Sequence, residues 1–67
     1  MSVARVTEIS ATSPDGFDEA IKSGLNRASK TLRNIKSAWV KDQNVMLSDG
    51  DVKEFKVNLL VTFELDE

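Results

Sequence analysis

From Phe55 to Leu65 apolar and polar positions alternate. Phe55, Val57, Leu59, Val61, Phe63 and Leu65 fall on one side of an extended chain; Lys56, Asn58, Leu60, Thr62 and Glu64 fall on the other. The spacing predicts a long strand whose one face is wholly apolar. Val3 to Ile9 alternates less regularly, with Val3, Arg5, Thr7 and Ile9 opposite Ala4, Val6 and Glu8, and reads as a short strand. A third strand starts at Ile35, with Ser37, Trp39 and Lys41 on one face and Ala38 and Val40 on the other, and continues through Val45-Met46-Leu47. Its parity slips near Asp42-Gln43-Asn44, which predicts a β-bulge that bends the strand. Ser48-Asp49-Gly50-Asp51 carries turn chemistry and should join the last two strands as a hairpin.

Between the first two strands the period changes to that of a helix. Phe17, Ala20, Ile21, Leu25, Ala28 and Leu32 recur every three or four residues, while Lys22, Asn26, Arg27, Lys30 and Arg33 occupy the other faces. Ser13 is a good N-cap and Pro14 suits the first helical position. Asp15 and Asp18 bring negative charge to the positive end of the helix dipole. Gly24 interrupts the middle of the helix at a cost of up to about 1 kcal/mol relative to alanine, which is most simply understood if another backbone approaches closely there.

The order is therefore β-α-β-β. A helical crossover makes the first two strands parallel to each other, and the hairpin makes the third antiparallel to both, so placing the third strand in the centre gives a fully antiparallel sheet. The expected fold is α+β, a βαββ unit with a three-stranded antiparallel sheet of order 1-3-2 wrapped around one helix, in a single domain over residues 1–67. The helix should cover the Phe55-to-Leu65 apolar face. The opposite face then displays Ser37, Trp39, Lys41, Lys56, Asn58 and Leu60, a mixture of the kind that meets a partner.

Composition narrows the function classes. A chain of 67 residues has a core too small to be comfortable alone. With no cysteine and no histidine, neither disulfides nor a zinc site of the usual kind can staple it, and self-association remains. Nine basic and eleven acidic residues leave a formal charge of -2, which gives no argument for a nucleic-acid or membrane partner. MSVARVTEIS has no apolar signal core, and a cytoplasmic location is the expectation. Catalysis is not expected: there is no histidine, no cysteine nucleophile, no glycine-rich phosphate loop and no Gly-x-Ser-x-Gly elbow. The carboxylates at Asp18-Glu19 and Asp49/Asp51 are explained as helix-start and turn residues.

Trp39 is the single tryptophan. Such a ring serves either as a packing group at a subunit contact or as a stacking platform for a planar ligand. Lys56, on the neighbouring strand and the same face, is either a solvated lysine or a phosphate contact.

Four stretches carry a family resemblance: Ala11-Thr12-Ser13-Pro14-Asp15-Gly16, Arg27-Ala28-Ser29-Lys30-Thr31-Leu32-Arg33, Ala38-Trp39-Val40-Lys41-Asp42-Gln43, and Phe55-Lys56-Val57 with Val61-Thr62-Phe63-Glu64-Leu65. Together, in this order and total length, they resemble the dodecins. The resemblance implies a βαββ protomer in a hollow homododecamer that binds flavins in pairs and serves in flavin storage and protection. Flavin-binding dodecins stack a tryptophan early in the second strand on the isoalloxazine ring and bond its polar edge with a glutamine of the third. In this chain the tryptophan position falls on Ser37 and the glutamine position on Lys56. Trp39 lies on the same strand face, about 7 Å further along. The resemblance thus implies a site for FMN or riboflavin among Ser37, Ala38, Trp39, Asp42 and Lys56. The alternative is a structural or differently liganded dodecin that has lost flavin binding.

Overall fold

A computed structural model describes residues 2–66; Met1 and Glu67, the outermost residues of the expected domain, lie outside the described residues. The chain forms β1 (Ala4–Ser13), α1 (Phe17–Ala28), β2 (Ile35–Ser48) and β3 (Asp51–Glu64). The sheet has the order β1-β3-β2, and both pairings are antiparallel. This is the βαββ arrangement that the alternation predicts.

Register follows from the apolar face of β3. Val57, Leu59 and Val61 stand opposite Ala11, Ile9 and Thr7 of β1 and opposite Gln43, Val40 and Ala38 of β2. A one-residue slip would turn this set to solvent, so burial of three fully covered side chains pins the pairing. They are joined by Ala20 of α1, around which Ile9, Ala11, Phe17, Ile21, Leu25, Leu32, Ile35 and Ala38 close the core. Phe17 meets Phe55 edge to face with ring centroids 5.1 Å apart, fixing the start of the helix over one end of the sheet.

Several local features depart from the sequence reading. Ser13 does not cap the helix. It ends β1 opposite Phe55, and its Oγ accepts a hydrogen bond from the Asp15 backbone N–H at 3.0 Å, forming a local turn. The helix begins three residues later than Pro14, at Phe17, with Gly16 as N-cap. Gly16 has φ 142, which a side chain would oppose, and its carbonyl accepts the first helical bond from Ala20 N–H at 3.1 Å. The helix ends at Ala28, earlier than the apolar period through Leu32. There the Ser29 and Thr31 hydroxyls bond to the carbonyls of Asn26 and Ala28, and Leu32 reaches the core from a turn. The close approach at Gly24 is real, and its source is a methyl group. A Cβ at Gly24 would lie 2.8 Å from the Ala11 Cβ of β1.

The apolar face of β3 is not covered along its whole length. Twelve helical residues span about 18 Å, whereas fourteen strand residues span about 46 Å. Phe63 is accordingly only half-buried, and Leu65, beyond the strand, is 42% exposed. The helix lies over β1 and β3, which leaves Val40 and Val45 of β2 exposed. The hairpin turns through Asp49 (φ 52) and Gly50 (φ 83). Two left-handed residues make the type I′ turn that suits the strand twist. The molecule is drawn out to 51 × 19 × 14 Å.

Candidate functional site

The face of the sheet turned away from α1 is assembled from cross-strand rows. Val6, Thr62 and Ser37 form one row; Glu8, Leu60 and Trp39 the next; then Ser10, Asn58 and Asp42; then Thr12, Lys56 and Asn44. Ser37, Trp39 and Lys56 therefore share this face, as their parity predicts, and Asp42 joins them. Ala38 does not. It pairs with Val61 on the helix side and packs against the core, so its side chain is turned away from the other four.

One extra residue makes this grouping possible. The ladder runs Val40 to Leu59 and then Asp42 to Asn58, leaving Lys41 unpaired as a β-bulge. Before the bulge Ser37 and Trp39 face outward; after it Asp42 and Asn44 do. The predicted slip in parity is thus present, one residue ahead of Asp42. Lys41 spans the central strand, and its Nζ donates to Glu8 Oε1 at 3.2 Å on β1. Asn58 donates its side-chain amide to Asp42 Oδ1 within their shared row.

Along β3 the face changes character in order. Val6, Leu60 and Trp39 make an apolar end, with the Trp39 ring 69% exposed. Amide, hydroxyl and carboxylate groups follow at Ser10, Asn58 and Asp42, and a half-buried ammonium stands beyond them at Lys56. The contributions of β1, namely Glu8, Ser10 and Thr12, and that of Asn44 were not named from the sequence. Of the β1 residues only Glu8 falls within the first strand that the alternation predicts, since β1 runs on to Ser13, and which strand lies next to which is needed before they join Trp39 and Lys56.

The face is nearly flat and does not enclose a ligand by itself. A groove of about 560 Å³ lies between α1 and the free edge of β1, lined by residues including Ile9, Ser10, Thr12, Gly24, Arg27 and Leu32. It contains none of the five expected site residues. Among the described residues no cluster of carboxylates is arranged to hold a metal ion. No helix is long and apolar enough to cross a membrane.

A single domain of this topology, with an exposed aromatic on the sheet face opposite its one helix, defines the class of small βαββ sheet-and-helix proteins. The dodecin family matches residues 3–66. The chain is similar to the dodecin of Thermus thermophilus, at 38% identity over 65 residues that cover 97% of this chain and 94% of that protein. A solved dodecin from Streptomyces davaonensis superposes with a TM-score of 0.95 at 44% identity, over 98% of this chain and 97% of that one. The dodecin of Streptomyces coelicolor does so with a TM-score of 0.94 at 39% identity, over 98% and 94%. The chain belongs to the dodecin family.

Proposed function

We propose that this dodecin sequesters flavin, holding the isoalloxazine ring against Trp39 on the outer face of the sheet. The observation that carries the reading is the Trp39 ring itself, 69% exposed beside Leu60 with no partner from its own protomer. An aromatic ring left open on a sheet face is stabilised by a planar group laid on it. Ser37, one pleat away, leaves space that a larger residue would fill, so the ring centre shifts from the usual family position toward Trp39.

A flat face covers one side of a ring only. The second side is covered where the same face of another protomer brings its own bound ring against the first, which makes ligand binding and self-association parts of one design, with a homododecamer as the family's assembly. This reading needs no catalytic group. Storage requires stacking, exclusion of water and quenching of the excited flavin, and Trp39 supplies the first and last. A shell without flavin is not favoured, because it would leave Trp39 unoccupied.

The test is direct. Protein purified without added flavin and washed extensively should show flavin absorbance, or should quench flavin fluorescence on titration. Absence of both signals rejects the proposal.

A further inference from the structure

We propose that Lys41, held in place by Glu8, donates a hydrogen bond to the acceptor edge of the ring stacked on Trp39 and sets the relative affinity of the site for the oxidised and the reduced, negatively charged ring. The inference rests on the flavin reading above and names the side chain of this chain that meets the ring edge-on.

The bulge places the ammonium. Lys41 is left out of the ladder between Val40 and Asp42, which releases its side chain from the strict alternation of the strand. Its Nζ reaches across β3 to Glu8, 3.2 Å from Oε1 and 3.4 Å from Oε2. Glu8 stands opposite Leu60, and Leu60 opposite Trp39. The link therefore crosses the outer face beside the Trp39 row, and it fixes a cation two residues along β2 from the exposed indole. On the other side of Trp39 the row of Val6, Thr62 and Ser37 brings no charge. A ring on Trp39 thus meets an ammonium on one side only, and its acceptor atoms turn to that side.

Glu8 prepares the donor. An exposed ion pair adds little to the stability of the fold, so the consequence of this one lies in where it holds the charge. Ordering a flexible lysine before the ligand arrives lowers the entropic cost of using it. An ammonium carries three N–H groups, and the two oxygens of Glu8 occupy two of them. The third is left for an acceptor on the ring. Asp42, the next residue of β2, does not compete at the same strength, because its Oδ1 is engaged by the Asn58 amide.

Charge gives the pair its effect. The oxidised ring is neutral, and the ring reduced by two electrons and one proton carries negative charge along its N1 and C2-carbonyl edge. An ammonium within hydrogen-bond reach favours the charged form, and the carboxylate behind it offsets part of that preference. Lys41 and Glu8 therefore act on the same property with opposite sign, which bracing of the sheet alone does not do.

The experiment measures the midpoint potential of riboflavin bound to wild type, Lys41→Met, Lys41→Arg and Glu8→Gln, by dithionite titration against a reference dye. Lys41→Met is expected to lower the affinity for reduced relative to oxidised riboflavin about tenfold, as loss of one charge-assisted contact does. For a two-electron couple this is a potential about 30 mV more negative. Glu8→Gln leaves the ammonium without its carboxylate and is expected to shift the potential in the positive direction, while Lys41→Arg stays close to wild type. Shifts of the same sign in Lys41→Met and Glu8→Gln, or no shift in either, would overturn the role of Lys41 and leave the ring reading standing. Failure of wild type to bind riboflavin overturns both. If Lys41→Met does not fold, Glu8→Gln decides alone, and a potential that fails to rise overturns the inference.

Discussion

Trp39 stands directly across from Leu60 in the β2–β3 ladder, and Ser37 stands across from Thr62 one pleat away on the same face. The two positions are about 7 Å apart, and only one of them carries a ring. Trp39→Ala is therefore expected to weaken flavin binding by the roughly 0.5–1.5 kcal/mol of an aromatic pair, plus the buried area lost. Ser37→Trp puts a second ring beside the first, and is expected to strengthen binding where the Trp39 ring leaves it room. Flavin fluorescence titration of the three proteins reads both. Gain of binding by Ser37→Trp from a wild type that binds nothing would reject the storage function for this chain.

The order of strands, the hairpin and the outward placing of Ser37, Trp39, Lys56, Asn58 and Leu60 were legible because a period of two assigns faces without any knowledge of neighbours. Even the bulge announced itself, since Trp39 and Asp42 share a face only if one residue is extra. What stayed hidden was set by length and by contacts across the fold. Ser13 has the chemistry of a helix cap, but ten paired residues of β1 carry it into the sheet. Leu32 keeps the helical period although the helix has ended, because a turn delivers it to the same core. Ala38, adjacent to both Ser37 and Trp39 in sequence, faces the opposite way. The Glu8–Lys41 pair joins β1 to β2 across β3 and is visible only once the strands are placed side by side.

Strand parity has a mutational signature. Leu59 is fully buried and Thr62 lies on the outer face. Leu59→Ala is expected to destabilise by about 2–5 kcal/mol, and Thr62→Ala by less than about 1 kcal/mol. Urea unfolding at one fixed protomer concentration measures both. Phe63, half-buried beyond the end of the helix, should fall between them when changed to alanine. A larger loss for Thr62→Ala than for Leu59→Ala would invert the faces and the site with them.

Gly24 sits inside a helix, where alanine is ordinarily better by about 1 kcal/mol. Here the added methyl would lie 2.8 Å from the Ala11 Cβ, closer than packed carbons approach. Overpacking of this kind costs about 1–3 kcal/mol, so Gly24→Ala is expected to lower the urea midpoint despite its helical propensity. The double variant with Ala11→Gly removes the contact and should recover much of the loss. A midpoint raised by Gly24→Ala alone would mean that β1 yields at this point.

The protomer exposes more surface than a compact monomer of its size. Its accessible area is 4945 Å², against about 4200 Å² for a compact monomer of its mass. Its radius of gyration is 13.7 Å, against about 11 Å for a compact chain of this length. The excess lies in β2 and the hairpin, where Val40, Val45, Met46, Leu47 and Val52 are all exposed. This arm follows the bulge at Lys41, where β2 bends. Burying such an arm against copies of the same chain supplies the stability that a small core lacks. Sedimentation at micromolar concentration is expected to find a large closed oligomer, and Val45→Asp, which places a charge on the arm, should dissociate it while leaving Leu59 and its neighbours packed. The melting temperature of the wild type should rise with protein concentration. A folded wild-type monomer with a concentration-independent melting temperature would refute the assembly, and with it the pairing of two flavin-bearing faces.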